Sequence, residues 1–365
     1  MKLPIPKMFT GPKNRSGLLW AALAMGAAVV SIALMVLFGG NGANSDSPEH
    51  VSFQISAGST SGTYFPLGEF IAALLSHPPG VGRCEAAGMC GPAGLIVNAR
   101  TTQGSIENLR DVDAGTSNSG FAQADVVADA MAGRGPFAKT GRTRQIRLIA
   151  ELYPEAVHVV AAHGAGLLSI GDLRGKRVSL STEGSGTIVA ARAVLAAYGL
   201  SERRIVPVYQ SPDRAAELLQ AGKLDAFFFV GGAPVRLVQD LLEHGDAVLL
   251  PIDGAGRDRL LAAEPTFSPY LIPQSIYSGS PSVETVSIGA LWFTNAKEPE
   301  DLIYAMTKAL YNPANRQQID DAFPGNHWIM LNSATKDLVA PFHPGAARYF
   351  REAGIMAPKD SDEKR

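Results

Sequence analysis

The sequence predicts an α/β protein built of two similar lobes joined by a hinge, and three observations support this fold class. A strand, a loop rich in Gly, Ser and Thr, and a helix follow one another in the same order at two places in the chain. In each place a further helix leads through a turn of the form Ala-Gly-x-x-Asx into a second hydrophobic strand. Two other strands stand where they can carry the chain from one lobe to the other and back.

The first repeat unit, at residues 51–123, begins with a strand in which apolar and polar residues alternate (VSFQISA, 51–57). The loop at 58–64 (GSTSGTY) follows this strand, and apolar residues then recur at helical spacing. A second helix opens at Ser105, and residues 114–118 form the turn that precedes the strand GFAQ. Because helices separate these strands, we expect the strands to be mostly parallel.

The second repeat unit, at residues 176–230, has the same order of elements. Its first strand (KRVSLS) runs into the loop at 183–187 (EGSGT), and an Ala-rich helix follows. Ser211 is expected to cap the next helix, since a proline stands at the first helical position. The turn at 221–225 then precedes the buried strand AFFFV.

Two strands are predicted to connect the lobes. Residues 157–162 carry the chain into the second lobe, and residues 286–294 (VSIGALWFT) carry it back. Lobe one therefore consists of 51–158 and 287–365, and lobe two of 159–286. A discontinuous lobe with two crossing segments is the hinged arrangement of periplasmic binding proteins, which predicts their type II fold here.

The N-terminus predicts export. Residues 18–38 contain no charge and could span a bilayer as one helix, which gives a transmembrane signal-anchor. Basic residues lie in the segment 1–17, which the positive-inside rule places in the cytoplasm. Residues 39–50 resemble a flexible tether, so the folded part would be periplasmic and anchored in the inner membrane. A cleaved signal peptide is the alternative.

Cys84 and Cys90 are predicted to form a disulfide, because an exported protein folds in an oxidising compartment. The loop that they close is short, so the bond would contribute roughly 2–3 kcal/mol of stability. No histidine stands nearby at the spacing of a metal ligand, so no metal site is expected.

Composition and motifs disfavour several classes of function. The chain has 32 basic and 34 acidic residues among 365, and this balance gives no reason to expect nucleic-acid binding. The segment GSTSG has Thr60 where a nucleophile elbow needs its nucleophilic Ser. A dinucleotide fingerprint would need Gly or Ala in place of Val189. We therefore expect no enzymatic activity and no cofactor; an exported hydrolase is the less favoured alternative.

Anion capture is the chemistry that the repeated loops favour. A Gly-rich turn at a helix N-terminus directs free N–H groups and the positive end of the helix dipole at a ligand. Ordinary helix capping explains Ser211 better. The loops at 58–64 and 183–187 supply several hydroxyls beside glycines, which favours ligand binding. Gln123, at a strand end, could face either a cleft or the core.

Six stretches, which together cover most of 51–235, resemble the TAXI solute receptors of tripartite ATP-independent periplasmic (TRAP) transporters. They are FQISAGSTSGTYFPLG (53–68), GLIVNARTTQGSIENLR (94–110), GFAQADVVADA (120–130), ELYPEAVHVVA (151–161), LRGKRVSLSTEGSGT (173–187) and GKLDAFFFVGGAP (222–234). Asn118 stands where the resemblance predicts an Asp.

The resemblance implies a two-lobed receptor that closes on a small ligand and delivers it to a separate TRAP permease in the membrane. Its ligand would be an amino acid such as glutamate, or another small carboxylate. A membrane-tethered ligand sensor with the same lobes and no permease is the alternative. The implied ligand contacts are Ser59, Thr60, Ser61, Thr63, Tyr64, Ser105, Gln123, Ser185, Thr187, Phe229 and Gly231. Tyr64 and Phe229 would be apolar walls.

Overall fold

The computed structural model describes residues 51–85, 87–324, 328–336 and 339–357. The predicted basic segment, transmembrane helix and tether at 1–17, 18–38 and 39–50 lie outside these residues. Within the described ranges, no helix is both long and apolar enough to cross a membrane.

Ten strands of the described chain form one curled sheet. They are β1 (Val51–Ser56), β2 (Leu95–Arg100), β3 (Ser119–Gln123), β4 (Ile146–Ala162), β5 (Arg177–Ser179), β6 (Val206–Val208), β7 (Ala226–Gly231), β8 (Ala247–Leu249), β9 (Phe267–Ile272) and β10 (Val283–Asn295). Their order is β2-β1-β3-β10-β4-β7-β5-β6, with β8 beside β4 and β9 beside β10.

Helices connect most of these strands. They are α1 (Tyr64–Leu75), α2 (Ser105–Ala114), α3 (Ala124–Ala132), α4 (Thr187–Ala197), α5 (Pro212–Gln220), α6 (Arg236–Glu243), α7 (Gly254–Ala263), α8 (Glu300–Leu310), α9 (Arg316–Ala322) and α10 (Pro344–Glu352). The apolar residues of α1 at helical spacing (Leu67, Ile71 and Leu75) pack in one cluster with Phe53 of β1. The corresponding face of α4 packs in a second cluster with β5 and β7.

Both predicted repeat units are present, and their strands are parallel. In the first unit β1 pairs with β2 and with β3. In the second unit β5 pairs with β6 and with β7 in the same way. Because the strands of each unit are parallel, the loops that follow them meet at one edge of the sheet.

The two long strands connect the units, as the sequence predicts. β4 pairs with β10 up to Ala156, and from Ala156 to Ala162 with β7 and in part with β8. β10 pairs with β9 over its first half and with β3 over its second. The predicted crossing segment at 157–162 is the end of one continuous strand that begins at Ile146. The lobe boundaries near residues 158 and 287 stay a prediction.

The predicted disulfide between Cys84 and Cys90 is confirmed. It lies in the segment between α1 and β2, and the two Cα atoms are 5.4 Å apart, a normal separation for a disulfide. Both cysteines are nearly buried. The bond therefore closes a loop at the outer part of the first repeat unit.

Candidate functional site

A cavity of about 150 Å³ lies where the loops that follow β1, β2 and β3 meet those that follow β5, β6 and β7. The middle of β4 closes one side of it through Glu155. A protein cavity of about this size holds a molecule as small as benzene, so the cavity suits a small solute. Ligands of open α/β sheets bind at this edge, outside the carboxyl ends of the strands.

Most of the predicted ligand residues line this cavity. They are Ser59, Thr63, Tyr64, Ser105, Gln123, Ser185, Thr187 and Phe229. The two repeat units contribute on opposite sides, as the duplicated loops predict.

Three predicted ligand residues do not line it. Thr60 and Ser61 line a neighbouring cavity of about 490 Å³ beside Trp328. Ser61 points away because its hydroxyl donates to Asp213 Oδ2 at 2.7 Å. Gly231 contributes to neither cavity, since a Cβ atom there would lie 2.6 Å from the Phe229 ring. The role of these three residues as ligand contacts stays a prediction.

The two threonines at the starts of the helices keep a hydrogen to donate. Thr63 Oγ1 accepts from the Tyr153 hydroxyl at 3.1 Å. Thr187 Oγ1 accepts from the Val230 N–H at 3.3 Å. Each threonine hydroxyl can therefore still donate its own hydrogen to a ligand in the cavity.

Ser185 has less capacity for a ligand than the sequence suggested. Its hydroxyl donates to the Thr182 carbonyl at 2.7 Å and accepts from the Ile188 N–H at 3.3 Å. The hydrogen is thus used within the loop, and the side chain acts as a cap for α4.

The first turn of α2 is also occupied. The N–H groups of Ile106 and Glu107 donate to the Gly184 carbonyl at 3.1 and 3.2 Å. The Ser105 hydroxyl accepts from the Gln123 N–H at 3.1 Å. These helix N–H groups are therefore not available to an anion, because the loop of the second unit already supplies their acceptor.

Ser211 differs from its prediction in the opposite direction to Ser185. The sequence predicts a simple helix cap, but the Ser211 side chain makes no capping hydrogen bond. Its carbonyl accepts from the Ala215 N–H at 2.9 Å, which begins α5 without the hydroxyl. Ser211 lines the cavity beside Pro212, so its hydroxyl belongs to the candidate site.

Glu155 is the residue that the sequence analysis missed. Its carboxyl group is 1% exposed and Oε2 accepts from the Tyr64 hydroxyl at 2.6 Å. Burial raises the pKa of Glu155 to about 8; the Tyr64 hydrogen bond opposes this and the nearby Asp125 adds to it. An acid inside the apolar run LYPEAVHVVA was the available signal, because a charge in a central strand needs a specific environment.

Gln123 brings an unsatisfied amide to the cavity. The side chain is 2% exposed, and neither Nε2 nor Oε1 has a hydrogen-bond partner in the described structure. Leaving buried polar atoms without partners costs about 1–3 kcal/mol each. A ligand that pairs with this amide would recover that free energy, which favours the cavity-facing role for Gln123.

The two units touch across the cavity. Gly184 N–H donates to Gln103 Oε1 at 3.2 Å, in addition to the two hydrogen bonds that its carbonyl accepts. Gly186 lies so close to Gln123 that a Cβ atom would stand 1.7 Å from Oε1. These contacts enclose the cavity between the loops. Among the described residues, no group of three or more His, Cys, Asp or Glu side chains could hold a metal ion.

An α/β sheet with two parallel units, two crossing strands and an enclosed cavity between the loops is the architecture of periplasmic solute-binding proteins. The chain belongs to the NMT1-like family, whose sequence pattern matches residues 55–354. This match does not identify the TAXI receptors, so that resemblance stays a prediction.

Solved structures with a similar chain path include three relevant examples. The alkanesulfonate-binding protein SsuA of Xanthomonas axonopodis pv. citri bound to MOPS is 17% identical, with 82% of this chain and 83% of that chain covered and a TM-score of 0.46. PhnD1 of Prochlorococcus marinus in complex with methylphosphonate is 10% identical, with 84% and 99% covered and a TM-score of 0.48. A histidine kinase sensor domain similar to periplasmic binding proteins is 14% identical, with 75% and 94% covered and a TM-score of 0.43. At TM-scores below 0.5, we base no functional argument on them.

Proposed function

We propose that the chain is an extracytoplasmic solute-binding receptor without enzymatic activity. It encloses one small solute between its two repeat units and delivers it to a membrane transporter. The observation that carries this proposal is the cavity, into which both units direct hydroxyl groups and in which the Gln123 amide has no protein partner.

Opening and closing would occur at the two crossing strands. β10 pairs with β3 of the first unit, β4 pairs with β7 of the second, and β4 and β10 pair with each other. Bending these two strands would therefore separate the loops at 58–64 and 183–187. The moving bodies are then the proposed lobes, 51–158 with 287–365 against 159–286. Hinged closure of this type is how two-lobed receptors respond to their ligands.

The finer identity rests on the TAXI resemblance. A small amino acid or other carboxylate, with glutamate as the first example, is the proposed ligand, and a TRAP permease is the proposed partner. The uncharged segment 18–38 would hold the receptor at the inner membrane. A tethered sensor would use the same cavity, and a permease encoded beside this chain would favour the receptor.

The hydrolase alternative has little support. Ser61 donates to Asp213, and neither residue lies at the cavity that holds Glu155. Among the described residues, no histidine lines either of the two cavities. The arrangement of nucleophile and base that such chemistry needs is thus not assembled here.

A solute screen tests the proposal. The full chain in detergent is heated with amino acids, amines, carboxylates, sulfonates and phosphonates. We expect at least one compound to stabilise it, by about 2.7 kcal/mol at a concentration 100 times its Kd. Gln123→Ala should abolish this stabilisation, whereas Gln317→Ala, at an exposed position of α9, should retain it. A screen without any stabilising compound would contradict the proposed function.

A further inference from the structure

The described residues that line the cavity include one carboxyl group and no side chain that could neutralise it. Glu155 lines the cavity from β4 and is 1% exposed. Among the described residues that form its walls, none is Lys, Arg or His. The other described walls are hydroxyls, the amides of Gln103 and Gln123, glycines and apolar groups, all of them neutral.

The surroundings of Glu155 on every side are neutral or acidic. The Tyr64 hydroxyl of α1 donates to its Oε2 at 2.6 Å. Tyr153, two residues earlier on β4, directs its hydroxyl to Thr63. Asp125 of α3 is a second carboxyl group whose charge raises the pKa of Glu155, so it opposes ionisation. Among the described residues, the Tyr64 and Tyr153 hydroxyls are the groups that favour an ionised Glu155, and no positively charged side chain is among the causes of its pKa shift.

An uncompensated carboxylate in such a place is unfavourable, because the low-dielectric surroundings replace water. Burial raises the pKa of Glu155 to about 8, which favours the protonated acid in the free protein near pH 7. A ligand that brings a positive charge into the cavity would supply the missing partner. Hydrogen bonds in which one partner is charged are stronger than those between neutral groups.

We propose that the solute carries a protonated nitrogen, which binds the Glu155 carboxylate while the adjacent Gln123 amide completes its hydrogen bonds. This inference rests on the proposed function and narrows it to ammonium-bearing solutes, of which amino acids are the simplest class. The hydroxyl hydrogens of Thr63 and Thr187 remain for the other end of such a solute. A solute whose only charge is negative would meet Glu155 unfavourably.

The competing arrangement has Glu155 protonated and donating to a ligand carboxylate. It predicts a different pH dependence. If Glu155 must be ionised, affinity rises by up to about tenfold per pH unit up to about pH 8, the pKa of the free carboxyl group, and levels off above it. If Glu155 must be protonated, affinity stays nearly constant up to about pH 8 and falls above it.

Matched pairs of probes test the inference. Glutamate and glutarate, aspartate and succinate, and alanine and propionate differ by one ammonium group. Calorimetry with the full chain should show that the amino member of one pair binds at least about 100-fold tighter, a difference of about 2.7 kcal/mol. Its affinity should rise with pH, and Glu155→Gln should lower it about tenfold or more and flatten the pH profile. Asp125→Asn should keep the rising profile, which separates Glu155 from the other carboxyl group that titrates nearby.

Each contrary result has a definite meaning. Equal or tighter binding of the acid member, or affinity that stays constant or falls as the pH is raised toward about 8, overturns the inference. If no pair binds, the compound found in the solute screen decides, since one without a basic nitrogen overturns the inference while the proposed function stands. If no compound binds in either experiment, the proposed function itself fails.

Discussion

In each repeat unit the second helix ends with the same turn, and the two copies can be compared residue by residue. Gly115 and Gly222 both adopt the left-handed conformation, with φ of +76° and +66°. In both turns the glycine N–H and the next N–H return to carbonyls of the last helical turn. This is the usual role of a glycine after a helix. The turn therefore tolerates differences in the residues that follow it.

The Asx side chain of each turn accepts a hydrogen bond from the first strand of its unit. Whether it is an amide or a carboxylate corresponds to the charge of the side chain next to it. Asn118 Oδ1 accepts from the Gln54 N–H at 2.8 Å, and its Nδ2 donates to Glu298 Oε1 at 3.0 Å. Asp225 Oδ2 accepts from the Arg177 N–H at 2.7 Å, and the same carboxylate pairs with the Arg177 guanidinium. The amide of Asn118 thus lies beside an acid, Glu298, whereas the carboxylate of Asp225 lies beside a base, Arg177.

The units differ more at the cavity than in their framework. The first unit and β4 supply the amide and the acid, Gln123 and Glu155. The second unit supplies hydroxyls, the Phe229 ring and close backbone contact, and none of its described lining residues titrates. The first unit and β4 thus determine the charge of the site, whereas the second unit determines how closely the loops approach. Substitutions in the two units should therefore change solute affinity by different amounts.

The largest difference should come from the glycine of the Ser-Gly-Thr sequence that both loops contain. A Cβ atom at Gly186 would lie 1.7 Å from Gln123 Oε1 and 2.5 Å from Ser105 Oγ, so the Gln123 amide would have to move. At Gly62 the nearest atom would be Ser59 Oγ at 3.3 Å. We expect Gly186→Ala to weaken solute binding about 100-fold, a loss of about 2.7 kcal/mol.

Gly62→Ala is the matched control and should change affinity by less than about threefold. Calorimetry with the solute from the screen measures both. Equal losses for the two variants would mean that the loops contribute to closure in the same way.

The second comparison concerns two aspartates whose pKa values move in opposite directions. Burial raises the pKa of Asp125 to about 7, whereas the hydrogen bonds from Arg177 lower the pKa of Asp225. Between about pH 4 and 7 the unfolded chain has lost the Asp125 proton that the folded chain still holds, so this residue makes stability fall as pH rises. Asp225 makes stability fall as pH decreases below its unfolded pKa.

Asp125→Asn should therefore stabilise the unliganded protein by about 2–4 kcal/mol near pH 8, since one pKa unit corresponds to about 1.4 kcal/mol. Near pH 4 the variant and the wild type should be about equally stable, because Asn resembles the protonated acid and can still accept from the Val126 N–H. Denaturant unfolding at the two pH values measures the difference. A stabilisation that is the same at both would show that the charge of Asp125 is not its cause.

The third comparison exchanges the two Asx residues. Asn118→Asp would place a carboxylate against Glu298, whose pKa burial already raises, and should destabilise the protein by about 2 kcal/mol near pH 7. Asp225→Asn should cost clearly less, because the amide can still accept from the Arg177 N–H and the lost ion pair is partly exposed. Unfolding in urea would rank them, and the penalty at Asn118 should shrink near pH 4, where Glu298 is protonated. The reverse ranking would contradict this account of the pair.

Sequence pattern predicted the framework because the framework is local. The alternating strand, the loops and the turn at Gly115 and Gly222 each lie within a short stretch of chain, and they recur. The disulfide was equally accessible, since Cys84 and Cys90 are six residues apart. Those features need no knowledge of which distant segments meet.

The details of the cavity depend on contacts between distant segments, and the sequence did not reveal them. Gly184 occupies the N–H groups at the start of α2, although these segments are about 80 residues apart. Ser61 was equivalent to Ser185 in the repeat, but only the approach of Asp213 turns it away from the cavity. Glu155 could have been predicted in part. The sequence shows an acid within an apolar strand, but it does not show that a cavity lies beside it.

The smallest predicted effects compare the serines at the starts of α2 and α5. Ser105 Oγ accepts from the buried Gln123 N–H, so Ser105→Ala leaves that donor unpaired and should destabilise the protein by about 1–2 kcal/mol. Ser211 makes no capping hydrogen bond, so Ser211→Ala should change the free energy of unfolding by less than about 0.5 kcal/mol. Urea unfolding of both variants without solute measures this contrast. A loss of about 1 kcal/mol for Ser211→Ala would instead support the helix-cap role that the sequence predicts for Ser211. A negligible stability change with weaker solute binding would instead support a role for the hydroxyl in the cavity, where it can donate to the bound solute.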